Sequence, residues 1–103
     1  MITWRVRSDQ LRLLLNGKRN TITRIDRRKV KTSSTMVLSC WGRKILVEVD
    51  KVDYKKYSEF DSKDAESEGF RTLSEFQEEL ARVYGRRVKE DTQFTVVTFH
   101  IRR

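Results

Sequence analysis

Residues Gln93 to Ile101 form a run that reads as a β-strand with apolar side chains on both faces. Thr95, Val97, Phe99 and Ile101 fall on one side, and Phe94, Val96 and His100 on the other. Apolar residues on both faces need cover on both sides, so this strand is expected at a central position in a sheet. The remaining residues must supply its neighbours and both covering layers. At 103 residues the chain has length for one domain, 1–103, because a chain of this size buries roughly two-thirds of the surface that its unfolded form exposes.

The other elements follow from the same patterning. Ile2 to Arg7 alternates as a half-buried strand, with Ile2, Trp4 and Val6 on one face. Ser8 is a suitable N-cap for a short amphipathic helix carrying Leu11, Leu14 and Leu15, which Asn16-Gly17 stops. Thr21 to Ile25 is β-branched and predicts a strand, and Asp26 to Ser34 a polar loop. Thr35 to Cys40 and Lys44 to Val52 predict a hairpin across Trp41-Gly42-Arg43, with Ile45, Val47 and Val49 pointing inward. A polar connection follows, then a helix over about Ser62 to Glu68 that ends at Gly69. Thr72 with Glu75 three residues on is a capping-box pattern; it opens a second helix carrying Leu73, Phe76, Leu80, Val83 and Tyr84 on one face before Gly85. Five or six short strands with helices outside them predict a small curled mixed sheet or barrel.

The net charge of +8 is unevenly spread. Lys18 to Lys31 holds seven basic residues against Asp26, whereas Glu59 to Glu79 holds eight acids against Lys63 and Arg71. A polar segment rich in Lys and Arg neutralises phosphates and releases counterions, so the first segment points to a polyanion partner. Its alternative is a charged surface whose signs happen to cluster. Arg24, Arg27 and Arg28 suit bidentate phosphate contacts. Trp41, at the hairpin tip, can stack on a base of single-stranded RNA or fold back over the sheet.

Other chemistries are closed off. Cys40 and His100 are the only cysteine and histidine, too few for a structural zinc site, and one cysteine permits no disulfide within the chain. No cofactor is expected, since the sequence has no phosphate-cradling glycine loop. No apolar run approaches a membrane span, and MITWRVRSDQ lacks the apolar stretch of a signal peptide, so a soluble, cytoplasmic protein is expected. Lys18, Thr21, Thr23 and the acids near Glu68 can be assembled into a Thr or Lys nucleophile with a carboxylate acid/base. Such a site requires a lysine of lowered pKa, for which Arg19 is a suitable neighbour. Against this, threonines in strands usually serve β-propensity and acids at helix ends are usually solvated. Cys40 is read as a small packed residue and His100 as a strand residue.

Gly17-Lys18-Arg19-Asn20-Thr21-Ile22-Thr23-Arg24, following a Leu-rich helix, resembles the Gly-Lys-Lys-Thr-x-Thr-x-Arg element of ASCH domains, relatives of the RNA-binding PUA fold. The run Asp64 to Phe70, the helix opened by Thr72 and closed at Tyr84-Gly85, and the strand Thr95 to Phe99 are similar to later parts of that family in the same order. The resemblance implies an α+β fold, a small PUA-like mixed β-barrel of five to six strands with two to three flanking helices. It implies a cleft with the Lys-Thr-Arg strand on one wall and the acid before Gly-Phe on the other, and RNA or a modified nucleoside as ligand. Glu68 matches the acid. Arg24 matches the Arg if Gly17 anchors the alignment, but then the Lys position falls on Arg19 and the Thr on Ile22. Lys18 and Thr23 match only with a shift of one residue. Thr32-Ser33-Ser34 departs from the Gly-Asp turn of many members.

The leading expectation is therefore RNA or nucleotide binding by Lys18, Arg19, Thr21, Thr23 and Arg24, extended by Arg27, Arg28, Lys29, Lys31 and Trp41, with Glu68 facing them. The alternative is an amide hydrolase acting on an acylated nucleoside such as N-acetylcytidine, as the resemblance to some small bacterial members implies. Lys18, Thr23 and Glu68 would then be its catalytic residues. A third reading is a protein-interaction module built on the acidic helices of residues 59–79.

Overall fold

The structure is a computed structural model that describes residues 2–25 and 29–102. Among these residues five strands form one sheet: β1 (Thr3–Arg5), β2 (Thr21–Arg24), β3 (Thr35–Cys40), β4 (Arg43–Lys56) and β5 (Gln93–Ile101), in the order β1-β3-β4-β5-β2. Three helices accompany it: α1 (Ser8–Leu15), α2 (Ser62–Ser67) and α3 (Leu73–Tyr84), with single turns of 3-10 helix at Tyr57–Glu59 and Gly85–Arg87. β1 runs parallel to β3 and the other three pairings are antiparallel. This is the mixed α+β arrangement expected, and β5 takes an interior place between β4 and β2.

The two faces of β5 serve different cores. Val97 and Phe99 join Trp4, Leu11, Leu14, Ile22, Met36, Leu38 and Val47 in the larger cluster, beneath α1. Phe94 and Val96 join Phe60, Ala65, Phe76 and Leu80 in a second cluster beneath α2 and α3. Phe60 meets the rings of Phe76 and Phe94 edge-on at centroid distances of 5.1 and 5.7 Å. Each such side chain contributes about 1.5–3 kcal/mol by leaving water. The sheet curls so far that its two edge strands are bridged by one side chain. Arg24 Nη2 on β2 donates to the backbone oxygen of Arg5 on β1 at 2.8 Å.

Several boundaries differ from the sequence expectation. β4 runs on to Lys56, through residues expected to form a polar connection, because its second half pairs with β5 from Val52↔Val97 to Lys56↔Gln93. A register shift between Val49 and Lys51 moves the inward and outward positions out of phase there, which hides the alternation. α1 is capped by Arg7 rather than Ser8, since the Arg7 N–H donates to Gln10 Oε1 at 3.2 Å and closes the first turn one residue earlier. α3 starts at Thr72 as expected, with Thr72 Oγ1 accepting from the Glu75 N–H at 3.2 Å, but the Glu75 side chain accepts from the N–H of Arg71 rather than that of Thr72, so the expected capping box is only half formed. On α3, Phe76 and Leu80 are buried, but Val83 is 54% exposed. Among the described residues no helix is long and apolar enough to cross a membrane.

Candidate nucleic-acid interface

Gly17 ends α1 at φ +73°, and the chain then turns onto β2. The Asn20 N–H bonds to the Ser67 oxygen at 3.0 Å, which fastens the start of β2 to the end of α2. This anchoring sets which side chains turn inward: Arg19 is buried and Lys18 is exposed. Glu68, the C-cap of α2, is 2% exposed, and its N–H closes the helix end onto Asp64 and Ala65.

Arg19 and Glu68 meet as a closed pair. Glu68 Oε2 lies 2.9 Å from Arg19 Nη2 and accepts from Nε at 3.1 Å, while the same Nε donates to the Thr21 oxygen at 2.8 Å. Thr21 and Thr23 are also buried. Their hydroxyls lie beside the carboxylate and favour its charged form, yet neither closes a hydrogen bond of ordinary geometry. Burial outweighs these contacts and the attraction of Arg19, so the Glu68 carboxyl is pushed above the usual range. An arginine in this position cannot serve as a base, since a guanidinium keeps its proton.

Arg24 links this pair to an open cleft. Its Nη1 donates to the Thr23 oxygen at 3.0 Å, and its guanidinium carbon lies 5.9 Å from the centroid of the Trp4 ring. Burial lowers its pKa, opposed chiefly by Tyr84, whose hydroxyl accepts from the Ile25 N–H at 3.3 Å.

The cleft has a volume of about 1070 Å³ and lies between β1, the β3–β4 turn and the end of α3. Arg5, Arg7, Arg24 and Lys44 line it together with Trp41 and Tyr84, and among the described residues Asp9 is the only acid in the lining. Arg7 shares its charge with Asp9 at 3.5 Å and with Glu79 at 2.8 Å. Among the described residues no carboxylate forms an ion pair with Arg5 or Lys44. Trp41 is 95% exposed and does not fold back over the sheet.

The expected site residues are thus distributed over three places, with the exposed Lys18 in none of them. Arg19, Thr21, Thr23 and Glu68 come together in the buried cluster, and Arg24 and Trp41 line the cleft. Lys29 and Lys31 line a separate cavity of about 170 Å³ with Ser34 and Thr35. Arg27 and Arg28 lie outside the described residues. The basic segment and Glu68 do face each other, but through side-chain contact at Arg19 rather than across an open space.

Sequence reasoning missed Arg5, Arg7, Lys44 and Tyr84. For the first two a signal was present: Trp4 and Val6 point inward, so Arg5 and Arg7 share the opposite face of the strand. Among the described residues no group of three or more His, Cys, Asp or Glu side chains is placed to hold a metal ion.

No protein-family model and no curated protein matches the sequence. Solved structures do match the fold. The chain is similar to an ASCH domain from Lactobacillus crispatus JV V101, with a TM-score of 0.80 and 18% identity over 90% of this chain and 70% of that one. It is similar to a DUF984 protein of Enterococcus faecalis V583, with a TM-score of 0.75 and 16% identity over 88% of this chain and 65% of the other. A protein of Pyrococcus furiosus matches with a TM-score of 0.62 and 19% identity over 97% of both chains.

Proposed function

From an ASCH-type, PUA-like fold with an open basic cleft beside a closed ion pair, we propose that the chain binds RNA, or a nucleotide within it, through that cleft. The supporting observation is the cleft's make-up: among the described residues, four cations and two aromatic rings surround one volume with a single acid. Arg5 and Lys44 carry charge that no described carboxylate offsets, so phosphate oxygens are the partners that suit them. Arg24 contributes from the opposite strand, held by two backbone oxygens.

The test is RNA affinity as a function of salt. Logarithmic affinity is expected to fall linearly with logarithmic salt, at a slope of about 0.7 per phosphate neutralised for a single strand. The double reversal Arg5→Glu/Lys44→Glu is expected to flatten that slope and weaken binding, whereas Lys29→Glu/Lys31→Glu, at the separate cavity, changes both less. Affinity that is indifferent to the first pair sinks the reading.

A second reading, hydrolysis of an acylated nucleobase, draws on the two unpaired hydroxyls of Thr21 and Thr23 beside Glu68. Its difficulty is that Lys18 is exposed and Arg19 takes the place beside the carboxylate, which leaves no basic amine there among the described residues. Release of acetate from N-acetylcytidine, compared between the wild type and Glu68→Gln, decides it. Equal rates remove Glu68 from any chemistry.

A further inference from the structure

Cys40 pairs with Arg43 across the β3–β4 hairpin, so its loop consists of Trp41 and Gly42 alone. Both have positive φ, +49° and +81°, which is the signature of a type I′ turn. That turn favours Asn-Gly, since asparagine tolerates the left-handed region and a bulky aromatic does not. Trp41 is therefore a poor choice for the turn, and at 95% exposure its ring contributes almost nothing to either core. A large apolar side chain that serves neither turn nor core, standing on the rim of a cationic cleft, is placed for something outside the chain.

We infer that Trp41 is a stacking platform for one base of a single-stranded nucleic acid whose neighbouring phosphates lie in the cleft. This rests on the RNA-binding reading above and narrows it. An open indole offers one face, and a single stacked base is too weakly held to retain a free nucleotide. Phosphates bound at Arg5, Arg24 and Lys44 would hold a strand so that the base need only settle on the ring. A duplex does not fit, because its bases hide their faces in the stack and the deep major groove of an A-form helix excludes side chains.

The test uses a short oligouridylate, an abasic strand of the same length and a blunt RNA duplex. Trp4 is buried and Trp41 exposed, so the emission that Trp41→Asn removes is that of Trp41, and quenching of that part reports contact. The oligouridylate is expected to quench that emission, and the abasic strand to bind without quenching. Trp41→Asn suits the turn better than the wild type, so its melting temperature is expected to hold or rise. Its affinity for oligouridylate should fall about tenfold with the salt slope unchanged, and its affinity for the abasic strand should stay the same. Trp41→Phe should recover most of the loss. Equal affinity of wild type and Trp41→Asn for oligouridylate, with salt-dependent binding of the abasic strand retained, overturns the stacking role alone. Absence of salt-dependent binding to any strand overturns the cleft reading with it. A duplex, or an oligoglutamate peptide, that quenches as strongly as the single strand also overturns the assignment.

Discussion

The Arg19 guanidinium and the Glu68 carboxylate, 49 residues apart in the chain, meet at 2.9 Å with their side chains 4% and 2% exposed. Two charges this deeply buried each carry a large desolvation cost that only the partner offsets, so removing one is far worse than removing both. Arg19→Met is expected to lower stability by about 3–5 kcal/mol, and the double variant Arg19→Met/Glu68→Gln to recover most of it. Urea unfolding of the two variants checks this. A double variant no better than the single one would mean that the pair does not act as a unit.

Asp64 does two jobs at the start of α2. It exchanges capping contacts with Asp61, accepting from the Asp61 N–H at 2.9 Å while its own N–H bonds to Asp61 Oδ1 at 3.0 Å. It also pairs with Lys55 of β4 at 2.8 Å, a contact that raises the Lys55 pKa. Asp64→Ala removes both and should cost about 1–2 kcal/mol, whereas Asp64→Asn keeps an acceptor for the Asp61 N–H and should cost less. Denaturation midpoints measured at low and high salt separate the two contributions, since only the ion pair is screened.

Gly69 and Gly85 both have positive φ, +84° and +58°, but in different surroundings. A Cβ on Gly69 would lie 2.9 Å from Leu13 Cδ1, while nothing lies within 4 Å of one on Gly85. Gly85 combines φ +58° with ψ −129°, a conformation that L residues avoid, so alanine there should cost about 1–3 kcal/mol for the backbone alone, and at Gly69 the displacement of Leu13 adds to a backbone cost of the same order. Thermal unfolding of the two variants tests the order. Gly69→Ala/Leu13→Val should narrow the gap if the leucine is what the new methyl meets.

His100 on β5 lies opposite Glu48, and its Nδ1 sits 2.8 Å from Asp50 Oδ1 at the register shift of β4. The Asp50 contact raises the imidazole pKa above the ordinary 6.5. The sign follows from linkage: a pKa raised in the folded chain gives stability that is fully present below about pH 6.5 and lost as pH rises through the raised value. An NMR titration of the imidazole should place its midpoint above 6.5, and Asp50→Asn should bring it back toward that value. An unchanged midpoint in Asp50→Asn would remove Asp50 as the cause.

The elements legible in the sequence were those whose pattern is local. Phe94, Val97 and Phe99 announced an interior strand, and Thr72 with Gly85 bracketed α3, because periodicity and capping depend on neighbours in the chain. The choice between Lys18 and Arg19 was not local. Two adjacent cations after a glycine look alike in sequence, and which one turns inward depends on the Asn20–Ser67 bond and on Glu68, both involving residues far along the chain. The ASCH-type resemblance implied an open cleft between the Lys18–Arg24 strand and Glu68, where the structure has a buried cluster, and it did not point to the cleft that Arg5, Lys44 and Tyr84 form once the sheet has curled. Val83 matched the apolar face of α3 but sits where that face runs out over the cleft.

β5 has a consequence for how the molecule comes apart. Its alternate side chains are embedded in different cores, Val97 and Phe99 in one and Phe94 and Val96 in the other, and its backbone is bonded to β2 along one edge and β4 along the other. Neither core can melt while the other survives, because loosening either one means pulling out a strand that both share. Unfolding should therefore be one cooperative event seen alike by Trp4 in the larger core and by the phenylalanine cluster in the smaller, and damage to either core is felt by the whole chain.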